Sequence, residues 1–372
     1  MILKHDTFAY KLFDLLLRSG YVYHPYSVDH LRFGVVRELP PVERAKDHLK
    51  VLASRHGYAS RRFRPEEAAE TLTSIAHEVD RYEKVYSSFA DDCSRELFVN
   101  LLVFRMLGRS HVKLRADTED YWRDYNSIDQ RFRKQANTKK YWIFDLHRYE
   151  VPGTASTLSL HATPGAILNA YVLEQYRYRH TAPEIQVSPG DIVIDGGGCY
   201  GDTALYFADR VGESGRVFSF EFVAQNLEVM AENLALNPTC AAHIEVVHKA
   251  LFDVSGQELS FAPDGAGTKV QAASEETTRV ITTSIDDFVA QKELPRVDFI
   301  KMDIEGSELP ALRGAAATLA RDKPKLAIAA YHNPEDLIVL PEYLASLDLG
   351  YRLYLDHFTV HNEETVLFAV AP

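Results

Sequence analysis

The residues with the clearest chemical pattern lie at 191–221, DIVIDGGGCYGDTALYFADRVGESGRVFSFE. The apolar run Ile192, Val193 and Ile194 stops at Asp195 and a glycine cluster, Gly196, Gly197, Gly198 and then Gly201. A helix-forming stretch follows, and a second apolar run ends at Glu221. Strand, glycine turn, helix, strand and carboxylate form a nucleoside site. The glycines let the turn pass close under a ligand, and a carboxylate at the second strand tip takes the ribose hydroxyls.

The spacing selects among cofactors. A dinucleotide site uses G-x-G-x-x-G, which brings a helix N-terminus to the pyrophosphate. Here an acid comes first, in Asp195-x-Gly197-x-x-x-Gly201, and Asp202 stands where a pyrophosphate would meet negative charge. Acidic residues beside the loop suit a sulfonium cation that also carries an ammonium group. That description fits S-adenosyl-L-methionine. A tight turn holding no ligand is the plain alternative, and Glu221 in register argues against it. The cofactor-binding set is Asp195, Gly197, Cys199, Gly201, Asp202 and Glu221, completed by Asp253 and Asp303.

A second cluster is Val297-Asp-Phe-Ile-Lys301-Met-Asp303-Ile-Glu305-Gly306-Ser-Glu308. An apolar strand delivers Lys301, Asp303 and Glu305 to the sheet edge where the cofactor's methyl group belongs. Helix capping explains one carboxylate there but not two beside a lysine. Tyr331-His332-Asn333-Pro334 follows the next strand, so His332 would face Asp303 across adjacent strand ends. Methyl transfer to an alcohol needs a base, because a free hydroxyl stays protonated at neutral pH. Asp303 and His332 are the candidates, with Glu305 orienting a hydroxyl; no metal is assigned. In an alternative reading, Asp303, Glu305 and His332 hold a divalent cation that acidifies the hydroxyl. His357 and His361 are weaker candidates.

These clusters need a sheet to position them. Strands are expected at 191–195, 216–221, 244–248, 297–302, 325–331, 351–355 and 365–370, with helices at about 201–211, 224–236, 307–320 and 335–347. The last two strands lack an intervening helix, which puts an antiparallel strand into an otherwise parallel sheet. The polar stretch Ser255–Thr278 reads as a hairpin or lid. Upstream, one helix is expected from Pro65, with Leu72, Ile75, Ala76, Val79, Tyr82 and Tyr86 on one side, and another over 93–107, stopped by Gly108. Residues 6–19 and 41–56 are weaker helix candidates. Residues 141–180 read as mixed and partly strand-like. The expected division is a mostly helical region, 1–140, and a cofactor domain, 141–372.

Composition narrows the partners. The chain has 372 residues, 46% of them hydrophobic, enough to bury a large core. Residues 1–150 hold 26 Lys and Arg against 22 Asp and Glu, leaving 15 against 31 for the remainder. An acidic catalytic half argues against a nucleic-acid substrate. Arg131, Arg133, Lys134, Lys139 and Lys140 read as a solvated face. No apolar run approaches the ~20 residues of a membrane helix, so no membrane span is expected. The N-terminus lacks the apolar core and small-residue cleavage site of a secretory signal. Three scattered cysteines make neither a disulfide framework nor a zinc pattern. The expectation is a reduced, cytoplasmic protein.

With these motifs in view, the chain resembles the FkbM-type family of S-adenosylmethionine-dependent methyltransferases over roughly residues 93–370. The resemblance is carried by VIDGGGCYGD, by FSFEF with Asn226, Asn233 and Asn237-Pro238, and by TTSIDDF, FIKMDIEGSE, LRGA, PKLAIAAYH and ETVLFA. The family pattern often has Asn where this chain has Cys199. Upstream, SRELFVNLLVFRMLG looks like an extension found in one branch of the family, often beside genes for surface polysaccharides. The resemblance implies a class I methyltransferase-type fold, a doubly wound seven-stranded sheet with an antiparallel last strand. It also implies a small-molecule or glycan acceptor methylated on a hydroxyl: a sugar, a glycolipid or a cyclitol or polyketide product. Two rivals are an NAD-dependent oxidoreductase and a catalytically silent scaffold. The missing G-x-G-x-x-G argues against the first, and the intact Asp195, Glu221 and Asp303 against the second.

Overall fold

A computed structural model describes residues 6–20, 65–109, 111–141, 144–261, 270–272 and 278–372. The expected helix at 41–56 lies outside the described residues. By internal contacts the chain falls into two units, Met1–Trp122 with Leu353–Thr365, and Arg123–Arg352 with Val366–Pro372.

The first unit is built on helices α1 (Phe8–Ser19), α2 (Pro65–His77), α3 (Val79–Ser88) and α4 (Asp92–Leu107). Asp91 caps α4 by accepting from the Ser94 N–H at 2.8 Å, and Gly108 ends it at φ +75°. Phe98, Leu101 and Val103 of α4 are fully buried, as an all-round apolar helix requires. Where the sequence suggests one helix from Pro65, the structure has two. Glu78 leaves the helical geometry at φ −113° and ψ 22°, and beyond it Tyr82 and Tyr86 close on Phe8. Tertiary packing of aromatics overrides a continuous helical pattern here. In the hairpin, His357 Nδ1 is 2.8 Å from Thr365 Oγ1, and both His357 and His361 are buried.

The second unit holds the site. The main sheet has the order β13-β14-β12-β11-β4-β5-β6, made of β4 (Ile192–Gly196), β5 (Arg216–Phe220), β6 (Ile244–Val247), β11 (Phe299–Met302), β12 (Lys325–Ala329), β13 (Arg352–His357) and β14 (Thr365–Val370), and all of these but β13 fall in this unit. Neighbours from β6 to β12 pair in parallel, and β14 runs antiparallel to β12. This is the class I methyltransferase-type arrangement expected from the sequence. Helices α6 (Asp202–Val211), α7 (Ala224–Leu236), α8 (Ile285–Gln291), α9 (Glu308–Arg313), α10 (Ala316–Asp322) and α11 (Asp336–Ser346) provide the crossovers. The strands read as continuous apolar runs because both faces are covered: Val193, Ile194, Phe299, Ile300 and Leu326 are all fully buried.

Two smaller sheets were only faintly marked in the sequence. After helix α5 (Glu119–Phe132), strands β1 (Arg133–Tyr141), β2 (Phe144–Pro152) and β3 (Thr157–Ala162) form an antiparallel meander. Basic residues at the end of α5 and along the meander are paired at the surface, Arg131 with Asp124, Arg133 with Asp129, Lys139 with Glu232 and Lys140 with Asp145. The polar stretch read as a hairpin or lid contributes β8 (Glu258–Phe261) and β9 (Val270–Ala272), which pair antiparallel. With β7 (Ala250–Leu251) and β10 (Thr278–Thr283) they make a four-stranded sheet. Leu259, Phe261 and Val280 bury its apolar face against Val223. Among the described residues no helix is long and apolar enough to cross a membrane.

Candidate methyltransferase site

Strand order fixes where a ligand belongs. From β4 the chain winds through β5 and β6 on one side, and β11 and β12 lie on the other. The winding therefore reverses between β4 and β11, and a crevice opens beyond the carboxyl ends of these strands. Asp195 and Lys301 are direct neighbours in the β4–β11 register, as are Gly196 and Met302.

Beneath the glycine loop lies a buried ion pair. Lys301, 1% exposed, sends Nζ to the carbonyls of Gly196 (3.0 Å) and Gly197 (2.7 Å) and to Asp195 Oδ1 at 3.2 Å. Burial opposes its charge, but Asp195 and then Asp303 hold the ammonium above its usual range. Asp195 also accepts from Thr203 Oγ1 at 3.1 Å and Ser219 Oγ at 2.8 Å. Lys301 thus braces the loop from below rather than reaching the sheet edge as its place in the sequence suggests. Asp195 sits with it at 0% exposure.

The loop's glycines are required by close approach. Gly197 has φ +81°, and a Cβ there would fall 1.9 Å from the carbonyl oxygen of Asp303. A Cβ at Gly198 would fall 2.1 Å from Ser219 Oγ, and one at Gly201 (φ +84°) 2.9 Å from Met230 Cγ. Cys199 is left-handed too, at φ +44°, a conformation that Asn tolerates better than most residues. That accounts physically for Asn at this position in the resembling pattern.

Two acids flank the loop. Glu221 accepts from the N–H groups of Phe222 (2.6 Å) and Val223 (2.8 Å), and from Asn226 Nδ2 at 2.9 Å. Burial raises its pKa against these bonds. Tyr141 on β1 donates to Asn226 Oδ1, next to Glu221. Asp202 opens α6, and its burial, offset in part by Lys301, lifts its carboxyl to about 7. Asp253 is exposed in the turn after β7, its Cα 3.0 Å from where a Cβ on Gly314 would lie.

The other asparagines of the motif hold the scaffold. Asn237 accepts from Ser159 N–H (2.9 Å) and donates to the carbonyls of Ser159 and Asn233. Asn233 accepts from His161 N–H (2.6 Å) and donates to His161 and Tyr200 carbonyls. Their amides extend the β3 edge as a peptide would, locking α7 to the meander.

The third group gathers beyond β11 and β12. Asp303 Oδ2 accepts from Tyr176 OH and Oδ1 from Tyr331 OH, both at 3.0 Å. His332 Nε2 lies 3.3 Å from Asp303 Oδ1 and 3.5 Å from Glu305 Oε1. Its Nδ1 meets Oε1 of the fully buried Glu308 at 2.8 Å. Burial would lower the histidine, but Glu305, Glu308 and Asp303 raise it to about 11. Burial pushes the Asp303 carboxyl up. The charges of His332 and Lys301 and the two phenols outweigh it and hold Asp303 below its usual range. Glu305 and Gly306 are both left-handed, at φ +55° and +99°. Gly306 adopts this conformation freely, so the backbone strain of the turn rests on Glu305.

Asp303, Glu305 and His332 are therefore together, as adjacent strand ends demanded. Sequence reasoning missed Tyr176, which lies 127 residues from Asp303. It follows a single π-helical turn, Leu168–Leu173, and such turns concentrate at functional sites. Tyr331, beside His332, and Glu308, within the second cluster, were visible as letters but not as partners.

Residues 195–353 match the methyltransferase FkbM domain. The chain carries an FkbM-type methyltransferase domain. Among solved structures, methyltransferase FkbM from Methylobacillus flagellatus KT shares the fold at TM-score 0.50 and 20% identity. The likeness covers 80% of this chain and 60% of that one, so this chain spans about three-fifths of that protein's length. A SAM-dependent O-methyltransferase from Thermotoga maritima scores 0.32 at 15% identity, covering 50% of this chain and 61% of that one. Aeropyrum pernix fibrillarin, solved with natively bound S-adenosyl-L-methionine, scores 0.33 at 15% identity, covering 64% and 99%. No curated protein sequence matches the chain.

Proposed function

We propose that this chain is an S-adenosylmethionine-dependent O-methyltransferase acting on a hydroxyl of a sugar, a surface polysaccharide or glycolipid, or a secondary metabolite. We further place it in the cytoplasm, where its three free cysteines stay reduced. The observation that carries the reading is the reversal of winding between β4 and β11, with Glu221 and Asp202 on one side of the glycine loop and Asp303 on the other.

The donor set fits the cofactor. Glu221 is fixed by its own loop and offers a carboxylate to a ribose diol, while Asp202 suits an ammonium group. When bound, S-adenosylmethionine supplies a methyl group on positively charged sulfur. Transfer would break that carbon–sulfur bond, form a carbon–oxygen bond and leave a neutral thioether, with the hydroxyl proton passing to the protein.

The chain's own residues handle alignment and the proton. We assign proton removal to the Asp303–His332 pair. Asp303 is kept ionised by two phenols and by the histidine charge, so its oxygens are available to a hydroxyl. Glu305, 22% exposed, orients the acceptor beside it. Asp253 keeps only a peripheral place in the cofactor set.

Calorimetric titration of the full chain with S-adenosylmethionine and with NADH tests the reading. Binding of the first alone supports a methyltransferase. Binding of NADH alone would make it an oxidoreductase, and binding of neither a scaffold. A panel of hydroxylated glycans and metabolites, scored by mass spectrometry for a methyl increment, then identifies the acceptor.

A further inference from the structure

We propose that Asp303, Glu305 and His332 form a binding site for one divalent cation of the manganese(II) class. The three side chains offer ligand atoms that all lie within 4.8 Å of one another. The site stands on these atoms alone; it rests on the hydroxyl methylation proposed above, with the cation acidifying the hydroxyl in place of direct proton removal by the Asp303–His332 pair.

The decisive observation is the state of His332. Its side chain is 4% exposed, and Nε2 makes no hydrogen bond. Nδ1 is engaged at 2.8 Å by Glu308, whose carboxylate also accepts from the Ile304 N–H at 2.9 Å. A carboxylate on Nδ1 fixes a proton there and leaves Nε2 facing Asp303 and Glu305, where a cation would take the place of the Nε2 proton. This is the way metal-bound histidines are held.

Distances separate a cation from a proton as the occupant. A charge-assisted N–H···O bond runs to about 2.7–2.9 Å. The Nε2 separations of 3.3 and 3.5 Å are too long for that. An octahedral cation with bonds of about 2.1 Å places neighbouring ligand atoms about 3.0 Å apart, which small side-chain shifts would reach. The donor types agree as well. Two carboxylates and one imidazole are harder than a zinc thiolate set and richer in nitrogen than a magnesium site, which points to manganese.

The surroundings are those of a supported site. Tyr176 and Tyr331 hold both oxygens of Asp303, and Glu308 holds His332. Glu305 reaches the cluster from its left-handed turn, at φ +55°. Three protein ligands leave the other coordination positions for water or an acceptor's oxygens.

The test is titration of the full chain with Mn²⁺, read by calorimetry and by loss of the free Mn²⁺ paramagnetic resonance signal. We expect one ion per chain. Affinity should fall more than 100-fold in His332→Gln and Glu305→Gln, and 10–100-fold in Glu308→Gln. Circular dichroism and S-adenosylmethionine titration check that each variant is folded; Glu305, on a partly exposed turn, is the variant least able to disturb the core. No saturable binding of Mn²⁺, Mg²⁺, Co²⁺ or Zn²⁺, or unchanged affinity in folded Glu305→Gln, overturns the site. If the cofactor binds and the metal does not, the methyltransferase reading survives alone. If the metal binds and the cofactor does not, only the metal site stands.

Discussion

Gly197 lies directly against the backbone of Asp303, so close that a Cβ on the glycine would sit 1.9 Å from the Asp303 carbonyl oxygen. The cofactor loop and the candidate catalytic carboxylate are thus set by one backbone contact. Gly197→Ala should therefore damage both. The clash is with backbone, and φ is +81°, so we expect a loss on the order of 2–4 kcal/mol from overpacking and left-handed strain. Denaturant unfolding would measure it. A stable Gly197→Ala protein with normal cofactor titration would show that this contact is not needed.

Glu221→Ala should weaken S-adenosylmethionine binding by about 1–3 kcal/mol, the scale of lost charged hydrogen bonds. Because Glu221 also satisfies the N–H groups ahead of α7, about 1 kcal/mol of stability should go with it. Calorimetry and thermal melts separate the two effects. Unchanged affinity in the folded variant would remove Glu221 from the ribose site.

Asp202 makes stability fall with rising pH. Its folded carboxyl titrates at about 7, above its unfolded value near 3.8. Between these values the folded chain holds a proton that the unfolded chain has released. Asp202's contribution is thus most favourable below pH 4, declines from 4 to 7, and is flat above. The whole decline is at most about 4 kcal/mol. Asp202→Asn should remove it, leaving the variant more stable than the parent at pH 8. Unfolding curves at pH 5 and pH 8 check this, and equal pH slopes for both proteins would refute it.

For the chemistry, Asp303→Asn should lower turnover about 10²–10⁴-fold on whichever acceptor the methyl-increment screen returns, with cofactor affinity nearly intact. Tyr331→Phe removes one of the two phenols on Asp303 and should cost about tenfold. Single-turnover assays with saturating cofactor distinguish the two. Full turnover in Asp303→Asn would end its assignment as base.

Asn237→Ala should destabilise the second unit by about 2–3 kcal/mol, since it leaves the Ser159 N–H and carbonyl unpaired. Asn237 touches no proposed ligand, so cofactor affinity in the folded fraction should hold. A melting temperature within a degree of the parent would show that the amide clamp is dispensable.

The sequence by itself determined the seven strands and the antiparallel β14, because buried parallel strands are unbroken apolar runs and glycines mark their ends. Of the crossover helices it marked α6, α7 and α11, but it missed α8 and read α9 and α10 as one helix. It also placed Asp303 against His332, since parallel β11 and β12 bring their carboxyl ends together. Tertiary structure alone decided what each side chain touches. Lys301 reads as a group for the sheet edge, yet it turns beneath the loop because Asp195 and two carbonyls wait there. Tyr176 carries no local signal, for only folding closes the 127 residues between it and Asp303. The division has a physical origin: periodicity is a property of neighbours along the chain, whereas a hydrogen bond is chosen among neighbours in space.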